Sequence, residues 1–507
     1  MTGKILIEAD YVLPRPDASS LLKDAAVLVA DGRIAAAGPG DELKRASPGA
    51  EVISLPDCLL MPGLVNAHQH GRGLSQIQLG YPDDFLEPWI AGRRARGVLD
   101  GHAVTRLAAA RMIANGVTAT IHANYSYGTG DYERELRDQI AAYEAVGLRA
   151  TMCVGAMDRG STVYPSHEAC FMAGLPDDLR DWISRPSAPA YAGGGEETVA
   201  LMARLRADFA DHPLIRLCYG PAGPQWVSDE LWRTIARDAR DHDLGMHLHA
   251  LESPAQRQAA VELFPGGVFA HLDALGAMTP RTVIAHGVWV DDAEMEVLAR
   301  TGATVVRNPG CNIRMRNGIA PLARYLRHGV RMAVGTDNCS MADDEDLLSE
   351  LRLAGNLARE PDWNGPPAPG IDDLLAMATV NGAVAAQFGG EIGALEAGMR
   401  ADIAGFSLKR TRLPYLDPDM PLMDAFLARA QGADARFTMV EGRVLYRDGR
   451  HAAAAIEELE ALAVAAAEAA RLPADPANRE RTRRYRGHLC DHYRKLAAEA
   501  VEPAGNP

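Results

Sequence analysis

No Cys-x-x-Cys pair occurs in these 507 residues, and the seven cysteines, at positions 58, 153, 170, 218, 311, 339 and 490, are scattered and odd in number. That pattern argues against a disulfide framework and suits reduced thiols in a cytoplasm. Long apolar runs are also missing. No stretch reaches the roughly 18 residues of a membrane span. The start, Met1-Thr2-Gly3-Lys4-Ile5, has no basic segment leading into an apolar one, so neither a span nor a signal peptide is expected. Positive charge is short as well. The formal net charge is −15, and no cluster of Lys and Arg reaches the size of an electrostatic footprint, which argues against nucleic acid as a partner. Nor does Pro-Cys-x-x-Cys occur, which excludes the zinc deaminases of the nucleic-acid-editing type.

What is present is an ordinary globular composition, 47% hydrophobic and 23% charged. Short strand-like runs open the chain at 4–8, 25–30 and 33–37, with Asp31-Gly32 as a hairpin turn between the last two. Similar runs return at 401–406, 436–440 and 444–446, the last two joined by Glu441-Gly442-Arg443. Together they predict a small β-sandwich-like domain built from both chain ends, residues 1–58 plus 397–450. Between them strand and helix alternate. Candidate strands lie at 62–68, 117–122, 148–154, 214–219, 244–249, 281–286, 303–308 and 331–337. Eight such units predict an α/β fold, a (β/α)8 TIM-like barrel over residues 59–396. The connections 71–101 and 155–213 are long, and long connections often serve as functional covers. A helix is expected at 452–471, a break at Pro473 and Pro476, and a charged helix at about 478–499. These form a C-terminal helical extension, residues 451–507.

The histidines carry the chemical signal. The last residues of the proposed strands include His68 with His70, His122, His249, His286, Asn308 and Asp337. In such a barrel the strand C-termini gather on one face, where active sites sit. On a strand, residues i and i+2 point to one side, so His68 and His70 face one point. Imidazole is a good ligand for zinc and iron. His247 shares a strand face with His249 and stays an alternative ligand, although the His249-x-x-Glu252 spacing points to His249. His122 reads as a substrate contact or as a satisfied core histidine. Glu87 and Trp89, in the first long connection, line either the pocket or, on the plainer reading, the surface.

These segments resemble the amidohydrolase superfamily. The resemblance covers roughly residues 1–450. It rests on Met61-Pro62-Gly63 with the His-x-His, on His249-x-x-Glu252, on Ala285-His286-Gly287, on Asn308-Pro309 with Asn312, and on Gly335-Thr336-Asp337. Within the superfamily the chain is similar to the branch holding guanine, cytosine and adenosylhomocysteine deaminases and the triazine hydrolases. The resemblance implies one divalent metal ion per subunit, held by His68, His70, His249 and Asp337. Zinc is the default, and iron, manganese or cobalt suit the same donors. Where binuclear relatives place a carboxylated lysine, Leu217-Cys218-Tyr219 stands, which implies a single metal. It further implies that the ion brings the pKa of bound water to about 7, with Asp337 as general base for its proton. Glu252 then shuttles a proton to a ring nitrogen and His286 polarises the attacked group. The substrate is expected to be a small molecule and the enzyme a homodimer or higher homo-oligomer.

The substrate wall departs from the family pattern. Many deaminases of this branch carry a histidine in a Pro-His-Ala-Pro-like segment after strand four, whereas Gly220-Pro221-Ala222-Gly223-Pro224-Gln225-Trp226 has none. The usual His-Asn-Pro-Ser-Ser-Asn after strand seven has become Arg307-Asn308-Pro309-Gly310-Cys311-Asn312. These changes count against adenosylhomocysteine or ordinary guanine deamination. They make Gln225, Arg307 and Asn308 candidates for substrate recognition, with Gln225 and Arg307 suited to a different ring or a carboxylate, though Arg307 can equally point away from the mouth. The expected activity is hydrolytic deamination of an amino-substituted N-heterocycle: a purine, pterin, pyrimidine or triazine. The same activated water could instead cleave another C–N or C–Cl bond, in an amide, a urea or a chloro-triazine. A third reading is a non-catalytic binding protein with a structural metal. Structural zinc sites are usually closed four-ligand sets, and Glu252 and His286 exceed that need.

Overall fold

A computed structural model describes residues 3–95, 97–160, 163–185, 190–338, 340–365, 367–471 and 476–499. Cys339 and the break expected at Pro473 lie outside them. The N-terminal strands are β1 (Ile5–Val12), β2 (Leu22–Ala30), β3 (Arg33–Pro39) and β4 (Glu51–Pro62). Eight strands follow: β5 (Leu64–Gln69), β6 (Val117–His122), β7 (Arg149–Ala156), β8 (Ile215–Pro221), β9 (Gly245–Ala250), β10 (Thr282–His286), β11 (Thr304–Arg307) and β12 (Arg331–Val334). The chain returns with β13 (Ile403–Ser407), β14 (Ala435–Val440), β15 (Arg443–Arg447) and β16 (Arg450–His451).

As expected from the sequence, strands from both ends meet in one sheet, in the order β16-β15-β14-β13-β4-β1-β2-β3. Two-residue turns set its hairpins. Asp31-Gly32 and Glu441-Gly442 both hold positive φ at both residues, the left-handed geometry that matches strand twist. Val27, Ile34, Ile53, Ile403 and Phe437 share one core, so N-terminal and C-terminal strands enclose the same apolar layer.

The other sheet runs β5 to β12 in strict sequence order, with parallel neighbours. The strands are buried almost throughout, because helices cover one face and the barrel interior the other. Small and branched side chains fill that interior, among them Val65, Ala67, Ala119, Ile121, Val283, Val306 and Ala333. The ring nearly closes between its first and last strands. Asp337, just past β12, donates its amide to the His68 carbonyl at 2.9 Å and bridges Gln69.

Arg149, at the start of β7, joins the two sheets. Its guanidinium donates to both carboxylate oxygens of Asp402, at 2.7 and 3.0 Å, and also meets Glu441. Helix Ile456–Arg471 lies on helix Gly101–Ala114 through Leu459, Ala463, Val104 and Leu107. The last helix, Pro476–Glu499, covers the two long connections. Tyr485 and Leu489 pack with Ala91, Val163, Phe171 and Leu175, and Arg486 pairs with Asp84 at 2.7 Å. Among the described residues, no helix is long and apolar enough to cross a membrane.

Candidate metal centre

β5 delivers the first two imidazoles. His70 Nδ1 donates to the Ala123 carbonyl at 2.5 Å, which leaves the lone pair on Nε2. His68 Nδ1 lies 2.8 Å from Nε2 of His247. The Nε2 atoms of both His68 and His70 are buried and have no hydrogen-bond partner among the described residues. Each nonetheless lies close to Asp337 Oδ1, at 3.3 Å for His68 and 3.0 Å for His70. His249, near the end of β9, brings its ring centroid to 4.9 Å from that of His68 and 5.4 Å from that of His70. One donor atom each of His68, His70 and His249 lies within 4.8 Å of the others, and the same holds for His68, His286 and Asp337. Orphaned buried donors converging this closely are the arrangement a divalent cation needs.

Burial keeps the imidazoles neutral. It lowers His70 to about 4 against the pull of Asp337 and lowers His68 and His249 as well. A neutral ring is the form that binds metal. Burial alone would raise Asp337, but His68, His70 and His286 overcome it and hold its carboxyl well below the usual range. Glu252 behaves in the opposite way. Burial, aided by the charges of Asp337 and Glu87, raises it to about 7 despite His286 and a hydrogen bond from Asn317. Its Oε1 accepts from Asn317 Nδ2 at 2.9 Å and its Oε2 lies 3.5 Å from His286 Nε2. His286 Nε2 is also 3.5 Å from Asp337 Oδ2, and its Nδ1 pairs with Asn312 Oδ1 at 2.9 Å. Two of these aiming residues sit in strained backbone, His286 at φ 75° and Asp337 at φ 58°. Such left-handed conformations cost about 1–3 kcal/mol each and persist where packing over-determines them.

The remaining candidates fall in several places. His247 belongs to neither donor group and stands behind His68. His122 is buried against Tyr143, its Nδ1 2.8 Å from the hydroxyl. The surface reading of Glu87 and Trp89 is corrected. Trp89 is 4% exposed and packs on Cys311 and Met315, and Glu87 accepts from Ser253 and from Tyr164, at 2.5 and 2.8 Å. Glu87 thereby touches the residue next to Glu252. Asn308 lies 3.4 Å from His286 through its Nδ2. Gln225 is buried in the turn Pro224–Trp226. Arg307 is fully buried, and its Nη1 donates to the Ala354 carbonyl of helix Leu347–Leu357 at 3.2 Å.

Sequence reasoning missed Tyr125 and Asn317. Tyr125 stacks on His70 at 4.7 Å, and its hydroxyl is 3.4 Å from His249 Nε2. Both residues lie in irregular segments, where no periodicity announces direction. The one available signal was the closeness of Tyr125 to the end of β6.

Comparison with known proteins gives the lineage. Residues 25–50 match the model of an imidazolonepropionase-like composite domain of bacteria. The 5'-deoxyadenosine deaminase of Methanosarcina mazei is 30% identical over 453 residues, 88% of this chain and 93% of that protein. The 5-methylthioadenosine/S-adenosylhomocysteine deaminase of Nitratidesulfovibrio vulgaris is 30% identical over 455 residues, with the same coverage of 88% and 93%. A zinc-bound adenosine deaminase from Xanthomonas campestris superposes with a TM-score of 0.77 at 26% identity, over 92% of this chain and 99% of that one. Residues 59–445, from within β4 through the whole barrel and back into β15, match the amidohydrolase family model, and the chain belongs to that family.

Proposed function

We propose that this chain is a metal-dependent hydrolase that deaminates an amino-substituted N-heterocycle. In this reading His68, His70, His249 and Asp337 hold one divalent ion per subunit, zinc by default. Bound there, such an ion would lower the pKa of a coordinated water towards ~7 and so supply hydroxide at neutral pH. Asp337, ionised and facing the same point, accepts the water's proton. Glu252 carries a proton to the ring nitrogen, since its carboxyl holds one near neutrality. His286, fixed through Nδ1 by Asn312, turns Nε2 towards the attacked carbon and its leaving amine. The observation that carries this reading is the pair of unpartnered Nε2 atoms facing Asp337, with Glu252 alongside.

The named relatives act on adenosine derivatives, so 5'-deoxyadenosine and methylthioadenosine belong first in an assay panel with guanine, pterins, pyrimidines and triazines. The missing histidine at Gly220–Trp226 and the altered segment after β11 support a substrate edge unlike theirs. Ammonia release, lost on chelation and restored by zinc, is the expected result. Turnover of amides or ureas with no ammonia from any amino-heterocycle overturns deamination and leaves hydrolysis. A homodimer or higher oligomer in a reducing compartment completes the proposal. The free cysteines Cys58, Cys153, Cys170, Cys218, Cys311 and Cys490 are consistent with such a compartment.

A further inference from the structure

Among the described residues, two arginines beside the proposed metal site make no ion pair. Arg72 follows His70 by two residues. Gly71 between them, at φ +64°, lies so close to His122 that a Cβ would meet its ring at 2.4 Å. That contact leaves no room for a side chain at position 71. Arg72 Nη1 is buried and has no hydrogen-bond partner among the described residues. Arg93 follows helix Leu86–Gly92, and its Cζ lies 4.9 Å from the Tyr125 ring centre. The same ring stacks on His70 and approaches His249, so a single aromatic ring separates Arg93 from two proposed ligands.

The two guanidiniums feel each other. The charge of Arg93 acts on Arg72, and that of Asp337 acts on it in the opposite sense. Arg72 also acts through its charge on His70 and His122, and both arginines act on Tyr191. Several other arginines of the barrel are paired: Arg149 with Asp402, Arg314 with Asp83 and Asp343, Arg257 with Asp291 and Glu294. Like charges held together and partly desolvated are unfavourable, and the natural remedy is an anion, which a guanidinium grips through its planar fork.

We propose that Arg72 and Arg93 form an anion subsite beside the metal centre, so that the substrate carries a carboxylate or phosphate on the edge facing Tyr125. The ring being deaminated rests on the function proposed above; the anion subsite does not. The sequence offered Arg307 and Gln225 for such a role; Arg307 is fully buried and its Nη1 donates to the Ala354 carbonyl of helix Leu347–Leu357, while its Nε and Nη2 have no partner among the described residues.

The test compares, on zinc-loaded full-length enzyme, neutral amino-heterocycles with counterparts bearing one carboxylate or one phosphate. The expected result is a kcat/KM preference for the anionic member of about tenfold to a hundredfold. That preference collapses in Arg72→Gln and Arg93→Gln and returns in part in Arg93→Lys. Preference confined to the carboxylate arm or to the phosphate arm names the group. Equal turnover of neutral and anionic members, or a preference that survives both Gln variants, overturns the subsite and leaves deamination standing. If nothing releases ammonia, the readout is inorganic phosphate binding by calorimetry. Saturable binding abolished by either Gln variant supports the subsite and overturns the deaminase reading. Binding indifferent to both variants overturns both.

Discussion

Glu252 sets the pH response at the scale of single residues. Its folded-state value, raised to about 7, means that the carboxyl holds a transferable proton below that pH and loses it above. A bound cation draws the value lower still, because positive charge favours the carboxylate. The expected pH profile of kcat/KM therefore has a limb that falls as pH rises, with its midpoint below about 7 in the metal-loaded enzyme. Glu252→Gln should lower kcat by roughly a hundredfold to ten-thousandfold and abolish that limb; a limb left in place would belong to another group. The two histidines of β9 make a sharper pair. His249→Ala should lose the bound metal, measured by elemental analysis of the purified protein. His247→Ala should keep it with affinity weaker by about tenfold to a hundredfold, as for a residue that only orients a ligand. The sequence could pair them on one strand face. The spacing to Glu252 pointed to His249 as the ligand, but the contact that sets His247 behind His68, at 2.8 Å, crosses the barrel and leaves no trace in sequence.

At the scale of elements, the strands were legible and the covers were not. Runs such as Val117 to His122 and Gly245 to Ala250 announce themselves by apolar residues bounded by turns, and their ends carry the chemistry. The long connections carry no such period. Nothing in Leu86–Gly92 says that Trp89 turns inward to Cys311 and Met315 while Ala91 meets Tyr485 and Leu489 of the final helix, because both sets of partners lie far away in sequence. That helix braces the cover. Trp182 donates to Asn478 at 3.0 Å, and Tyr493 meets Tyr164, whose hydroxyl donates to Glu87. Truncation after Arg471 should therefore raise KM more than it lowers kcat, and should open the segments 71–95 and 163–185 to limited proteolysis. Unchanged KM and an unchanged cleavage pattern would show that the cover stands without its brace.

For the whole molecule, the joint between sheet and barrel depends on a charge. Arg149 and Asp402 have side-chain exposures of 0% and 1%, and removing one partner of such a pair leaves a buried charge behind. Arg149→Ala should destabilise by about 3–5 kcal/mol, read as a lower thermal midpoint. Chelation is expected to act differently, abolishing turnover while circular dichroism still reports a folded chain. The joint was invisible in the sequence, since its two residues lie 253 positions apart; composition reveals charges but not which of them meet. The fastening between β5 and the residues after β12 has a consequence of its own. The Asp337 amide that sews the ring shut belongs to the residue whose carboxylate faces the cation. Loading the centre should therefore slow hydrogen–deuterium exchange at that amide, so that one backbone proton registers occupancy from inside the seam.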